Sequence, residues 1–161
     1  MNTLKAVDLM SEAAVAEFYG AYYSALDDVR LEEWPGFFTD HCLYRIVPRE
    51  NFERSLPLST FWADSKGMLL DRVTGVRKTL VFAPRYYRRF PSALRISREG
   101  DGVRVRHNIL VVQTLRDMAP EVLLCGESRD LLVTGDDGLL LRERVVIFDS
   151  EMILNSLIYP I

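Results

Sequence analysis

The sequence predicts an α+β domain: a cone-shaped, curved antiparallel sheet whose concave face holds helices from the N-terminal half. Hydrophobic residues recur at helical spacing through the first half and alternate through the second. The second half is divided by Glu99-Gly-Asp-Gly102, Asp117-Met-Ala-Pro120 and Gly135-Asp-Asp-Gly138, all turn chemistry between paired strands. Between the halves lies the aromatic stretch Leu26 to Asn51, with Trp34, Phe37 and Phe38 spaced to share one face of a short helix and close the wide end of the cone.

Each element follows in turn. Ser11 caps a helix whose Val15, Phe18, Tyr19, Tyr22, Tyr23 and Leu26 follow the i, i+3, i+4 series. The short aromatic helix starts near Leu31 with Pro35 in its first turn, and Cys42 to Val47 extends as a strand. Prolines 48 and 57 mark turns or an edge, and Leu58 to Trp62 reads as a second short strand. Asp64 or Ser65 caps a helix carrying Met68, Leu69, Val73 and Val76 that ends near Lys78. Strands are expected at 92–98, 103–116, 121–134 and 139–150, with Gly126 marking a bulge that curls the sheet. The apolar tail from Leu154 to Ile161 must dock on its own sheet or on a neighbouring subunit.

With 161 residues, 48% of them hydrophobic, the chain suits one domain spanning residues 1–161. No run approaches the ~20 apolar residues of a membrane span, and Met-Asn-Thr-Leu-Lys-Ala is no secretion signal, so the expected location is the cytoplasm. Two cysteines, Cys42 and Cys125, and two histidines, His41 and His107, are too few for a self-contained zinc, haem or iron–sulfur site. The net charge of −3 hides an asymmetry: Arg72 to Arg106 holds ten Lys or Arg against two acids. Because these arginines interleave with strand-forming apolar residues, contact with an acidic protein surface is favoured over nucleic acid.

His107 is the one candidate acid or base, sharing a strand face with Val103, Val105, Ile109 and Val111. With Asp27 and a phenol from Tyr23 or Tyr44 it would suit a stand-alone dehydratase or isomerase; without chemistry the same cavity would make a small-ligand binding module. The adjacent acids Asp27-Asp28 and Glu32-Glu33 point about 100° apart on a helix and make no dyad. No phosphate loop, dinucleotide fingerprint or nucleophile elbow occurs. The cluster Pro84-Arg-Tyr-Tyr-Arg-Arg-Phe90 reads either as a soluble strand edge or as a protein contact.

Phe18-Tyr-x-x-Tyr-Tyr, Leu26-Asp-Asp, Trp34-Pro-x-Phe-Phe-Thr-Asp, Cys42-x-Tyr-Arg, Pro48-Arg-Glu-Asn, Asp64-Ser-x-x-Met-Leu-x-Asp-Arg and Ala83-Pro-Arg-Tyr-Tyr-Arg-Arg-Phe occur in this order. Together they resemble the small (beta) subunit of Rieske-type aromatic-ring-hydroxylating dioxygenases. That resemblance implies a cone fold like nuclear transport factor 2, scytalone dehydratase, cystatin and SnoaL-like proteins. It also implies a chain with no catalytic, cofactor-binding or metal-binding residue of its own. The Rieske [2Fe-2S] cluster and the mononuclear iron would belong to a large (alpha) subunit, bound by a trimer of small subunits in an alpha3beta3 hexamer. The expected subunit-interface residues are Arg72, Arg85, Tyr86, Arg88, Arg89 and Tyr159. At Arg89 many relatives carry His, which leaves that position's role here open.

Overall fold

The computed structural model of the protein describes residues 10–154 and 156–161. Helix α1 (Glu12–Asp27) begins as its periodicity predicts: Ser11 Oγ accepts the Ala14 amide, and Val15, Phe18, Tyr19, Tyr22, Tyr23 and Leu26 are all buried. It ends when Val29 N–H bonds Leu26 O and Arg30 N–H bonds Ala25 O, a closure that holds Val29 at φ 59, where glycine is usual.

The aromatic stretch is tighter than a regular helix. Residues Trp34–Phe37 form one 3₁₀ turn with Pro35 near its start, and Phe38 already opens strand β1 (Phe38–Pro48), four residues ahead of the expected Cys42. Trp34, Phe37 and Phe38 therefore do not share one helical face. Trp34 and Phe38 meet edge-on and pack against Tyr44, while Phe37 turns back onto Phe18 and Tyr22.

A short helix α2 (Arg49–Glu53) was not foreseen. Pro48, expected to mark a turn or an edge, ends β1 and sits just before the first helical turn, where an amide hydrogen has no partner to lose. Strand β2 (Phe61–Ala63) is shorter and later than expected, and pairs antiparallel with β1. Ser65 caps helix α3 (Lys66–Lys78), which buries Leu69, Val73 and Val76.

The meander is β3 (Arg85–Glu99), β4 (Gly102–Leu115), β5 (Glu121–Thr134) and β6 (Leu139–Phe148). Strand β3 begins seven residues before the expected Ser92, so the Arg85–Phe90 cluster is part of the sheet. The order is β2-β1-β6-β5-β4-β3; β1 runs parallel to β6 and the other neighbouring pairs are antiparallel.

Gly126 does not sit at a bulge. It pairs in register with Ile109 and Phe148, and the irregularities in the β4–β5 and β5–β6 ladders fall at Val111/Val112 and Leu131/Leu132. Glycine is needed for another reason: a Cβ there would lie 2.0 Å from the Ile147 oxygen. Segment 156–161 returns across the concave side, where Ile158, Tyr159 and Ile161 are buried, as the docked-tail expectation required. Leu154 stays exposed, and Asn155 lies outside the described residues.

Candidate functional site

The register of the sheet brings distant residues into rows. Val105, Asp130, Arg144, Tyr44 and Ala63 stand opposite one another on β4, β5, β6, β1 and β2. The next row is His107, Ser128, Val146, Ile46 and Phe61. Curvature turns both rows inward beneath α1, which supplies Tyr19, Tyr22 and Tyr23 from one face.

Asp130 and Arg144 form the centre, both fully buried, with Nη1 to Oδ2 at 2.7 Å. The carboxylate also accepts from Tyr19 OH at 2.6 Å on Oδ2 and from Ser128 Oγ at 2.6 Å on Oδ1. Arg144 Nη2 donates to the Tyr23 oxygen at 2.7 Å, which leaves the phenol hydrogen for His107 Nε2, also at 2.7 Å. The imidazole proton must then reside on Nδ1. That atom makes no hydrogen bond and lies 4.0 Å from Asp130 Oδ2.

Electrostatics follow from burial. Loss of water pushes the His107 pKa down from 6.5 to about 4, with Asp130 opposing and Arg144 assisting. Burial likewise raises the phenols of Tyr19, Tyr22, Tyr23 and Tyr44. Burial works against the Arg144 charge, but Asp130 and the nearby phenol groups outweigh it, so this guanidinium is held above its usual value. At neutral pH the set therefore comprises one permanent ion pair, a neutral imidazole and neutral phenols. It can hold the sheet, α1 and the tail in register; its histidine is a weak base already occupied by Tyr23.

The dyad expected for a stand-alone enzyme does not form. Asp27 is engaged by Arg89 Nη1 at 2.6 Å, and the Tyr44 hydroxyl bonds Ile161, so of the expected partners only Tyr23 touches His107. Asp130 and Arg144 were missed. A signal was available: Asp130 shares strand parity with Leu124, Ser128 and Leu132, and Arg144 with Val146 and Phe148, so opposite charges stood at core positions of adjacent strands.

Segment 156–161 seals this network. The Ile161 oxygen accepts from Tyr22 OH at 3.0 Å, Tyr44 OH at 3.2 Å and Arg144 Nε at 3.3 Å, while the Pro160 oxygen accepts from Arg89. Arg72 Nη2 reaches the oxygens of Leu157 and Ile158 at 2.6 and 3.1 Å. A void of about 10 Å³ beside Trp34, Tyr44 and Arg72 remains, room for about one water.

Of the six expected interface residues, Arg72 and Arg89 thus bond the chain's own tail, and Tyr159 belongs to that tail and packs edge-on against Phe82 and Tyr87. Arg85 bonds Ala83 O and Gln113 Oε1. Tyr86 and Arg88 point outward. On the convex face Phe90 heads a row that continues through Leu110 and Cys125, Arg88 one through Val112 and Val122, and Tyr86 stands opposite Thr114. Tyr86, Phe90 and Val122 are 62%, 53% and 61% exposed, an apolar stripe on the outside of a sheet whose inside carries charge.

The chain's own residues do not fit an iron–sulfur cluster or a mononuclear iron. His41 is exposed and His107 is engaged by Tyr23, Cys42 is buried and Cys125 exposed. Among the described residues no three His, Cys, Asp or Glu side chains converge as a metal site, and no helix is long and apolar enough to cross a membrane.

Residues 23–155 match the model of the ring hydroxylating beta subunit family. The chain belongs to that family. This beta subunit is 36% identical to the anthranilate 1,2-dioxygenase small subunit of Burkholderia cepacia, over 87% of this chain and 88% of that one. A crystal structure of the beta subunit of a candidate aromatic-ring-hydroxylating dioxygenase from Novosphingobium aromaticivorans superposes with TM-score 0.84 at 33% identity, covering 95% and 97% of the two chains. A candidate scytalone dehydratase from the same organism shares the fold at 16% identity and TM-score 0.70, covering 97% and 95%. The α+β cone and the dioxygenase family expected from the sequence are both borne out.

Proposed function

We propose that this beta subunit is a non-catalytic scaffold that assembles with a large oxygenase subunit, in which the Rieske cluster and mononuclear iron reside. The assembled enzyme adds O₂ to an aromatic ring, one bearing a carboxylate, in the cytoplasm. Beta subunits associate as the trimeric base of an alpha3beta3 hexamer. The observation that carries the scaffold reading is the filled interior: the acid–base residues of the concave face are bonded to one another and covered by the chain's own tail, the void beside the tail is about 10 Å³, and in the surface cleft of about 420 Å³ between α1 and β3 the side chains of Tyr19, Tyr23, Asp27 and Arg89 are already bonded within the chain. The carboxylated ring is supported by the similarity to a subunit of an anthranilate dioxygenase.

For the contacts we propose the convex stripe of Tyr86, Arg88 and Phe90 with Val112 and Val122, flanked by Arg85. Arg72, Arg89 and Tyr159 contribute by fixing the tail from within. The test is expression of the chain alone and together with its large subunit. The chain alone is expected to be colourless and inactive, and the pair to yield a brown complex that consumes O₂ with an aromatic acid. A fully active large-subunit assembly lacking this chain would overturn the reading.

A further inference from the structure

The register that builds the interior rows also builds one on the outside. Arg95 on β3, Arg106 on β4, Arg129 on β5 and Arg45 on β1 stand opposite one another on the convex face, with Val145 of β6 between the last two and Trp62 of β2 at the end. Neighbouring strands lie about 4.8 Å apart, so the row runs for roughly 20 Å. Arg95 belongs to it only because β3 carries an extra residue between Ser92 and Arg95, with Ala93 held at φ 53, a conformation that alanine disfavours. That bulge keeps Leu94 and Ile96 against the core and turns Arg95 outward opposite Arg106.

The row is short of acids. Glu127 takes both Arg106 and Arg129, Arg129 also lies 4.9 Å over the Phe52 ring, and Arg45 Nε donates to Ser59 Oγ at 3.1 Å. Arg95 is exposed and makes no ion pair among the described residues. Four guanidinium groups thus share one carboxylate, and like charges at this spacing repel unless further acids are brought to them.

The missing acids stand elsewhere on the same chain. A cleft of about 630 Å³ between α1 and the β5–β6 turn carries Glu17, Asp136 and Asp137, with Phe37 and Leu139 in its walls. Lys66 also lines it but is held by Asp40 at 3.3 Å, and the three carboxylates make no ion pair among the described residues. The turn begins roughly 17 Å beyond Arg129 along β5, so the two faces cannot meet within one molecule.

We propose that they meet between copies: the guanidinium row of one copy seats Glu17, Asp136 and Asp137 of the next, head to tail. Trp62, 48% exposed, and the cleft's Phe37 and Leu139 add apolar area to the contact. Such a contact uses two different surfaces, as a three-fold ring requires and a two-fold dimer does not. The inference rests on the trimer proposed above and assigns the faces that close it, leaving Tyr86 and Phe90 to the large subunit.

The test is sedimentation of the complete chain alone. In about 50 mM NaCl the unaltered chain is expected to be a trimer, and in about 500 mM its association should weaken at least about tenfold. Arg95→Glu with Arg106→Glu, or Asp136→Lys with Asp137→Lys, should each give a folded monomer, again at least about a tenfold loss of association. The chain carrying all four changes should recover the trimer, because the exchanged charges attract once more. A trimer that survives either pair of reversals overturns the assignment of faces and leaves the trimer standing, as does a four-fold variant that fails to recover. An unaltered chain that stays monomeric overturns the trimer together with the faces. If a pair of changes prevents folding, the single exposed changes Arg95→Glu and Asp137→Lys and their combination decide in the same way.

Discussion

The two faces of the same sheet reverse the usual distribution of side chains. On the concave face Asp130, Arg144 and His107 are buried among valines and tyrosines, each held by its neighbours. On the convex face Tyr86, Phe90 and Val122 stand in water, and farther along the same strands lie Arg106, Glu127 and Arg129, whose ion pairs stay partly solvated. Charges are tolerated inside because the network satisfies them, and removing one member strands the rest. The apolar residues outside are those that the proposed contact with a large subunit would cover. On that proposal interior polarity holds the fold in register, and exterior apolarity serves assembly.

The sharpest way to break that comparison is Asp130→Asn. It leaves the Arg144 guanidinium buried without its carboxylate partner from β5, and the expected cost is about 3–5 kcal/mol in urea unfolding. Replacing Asp130 by Leu together with Arg144 by Met should recover most of the loss; no recovery would mean that the pair contributes more than mutual compensation. A smaller effect is expected from pH. The unfolded imidazole of His107 takes up its proton near 6.5, but in the fold it resists protonation until about 4. Stability from this group is thus complete above about pH 6.5 and is lost as pH falls toward 4, about 3 kcal/mol in all. His107→Gln should flatten that part of the acid limb, measured by unfolding at a series of pH values. The smallest effect belongs outside: Arg106→Ala leaves Glu127 still paired with Arg129 and should cost under about 1 kcal/mol.

How much of this could be read from the chain depends on the range of the interaction. Helix α1 and the last three strands of the meander rest on local period and turn residues, and they appear close to where those signals put them. The interior network does not rest on anything local. Asp130 meets Arg144 only once the β5–β6 register is known, and Tyr23 meets His107 across 84 residues of sequence. The Arg85–Phe90 run shows the same limit at short range. Left outside the strand expected from Ser92, the run offers no way to tell its arginines apart; as the start of β3, alternation sends Tyr87 and Arg89 inward and Tyr86, Arg88 and Phe90 outward. That one boundary decides which residues serve the tail and which stand outward for the proposed contact.

The division between the two faces is tested most directly by Tyr86→Glu combined with Phe90→Glu, co-expressed with the large subunit. The double variant should keep the urea midpoint of the unaltered chain while the large subunit no longer co-purifies with it. Retention of the full complex, or a drop in stability comparable to that of Asp130→Asn, would contradict the account.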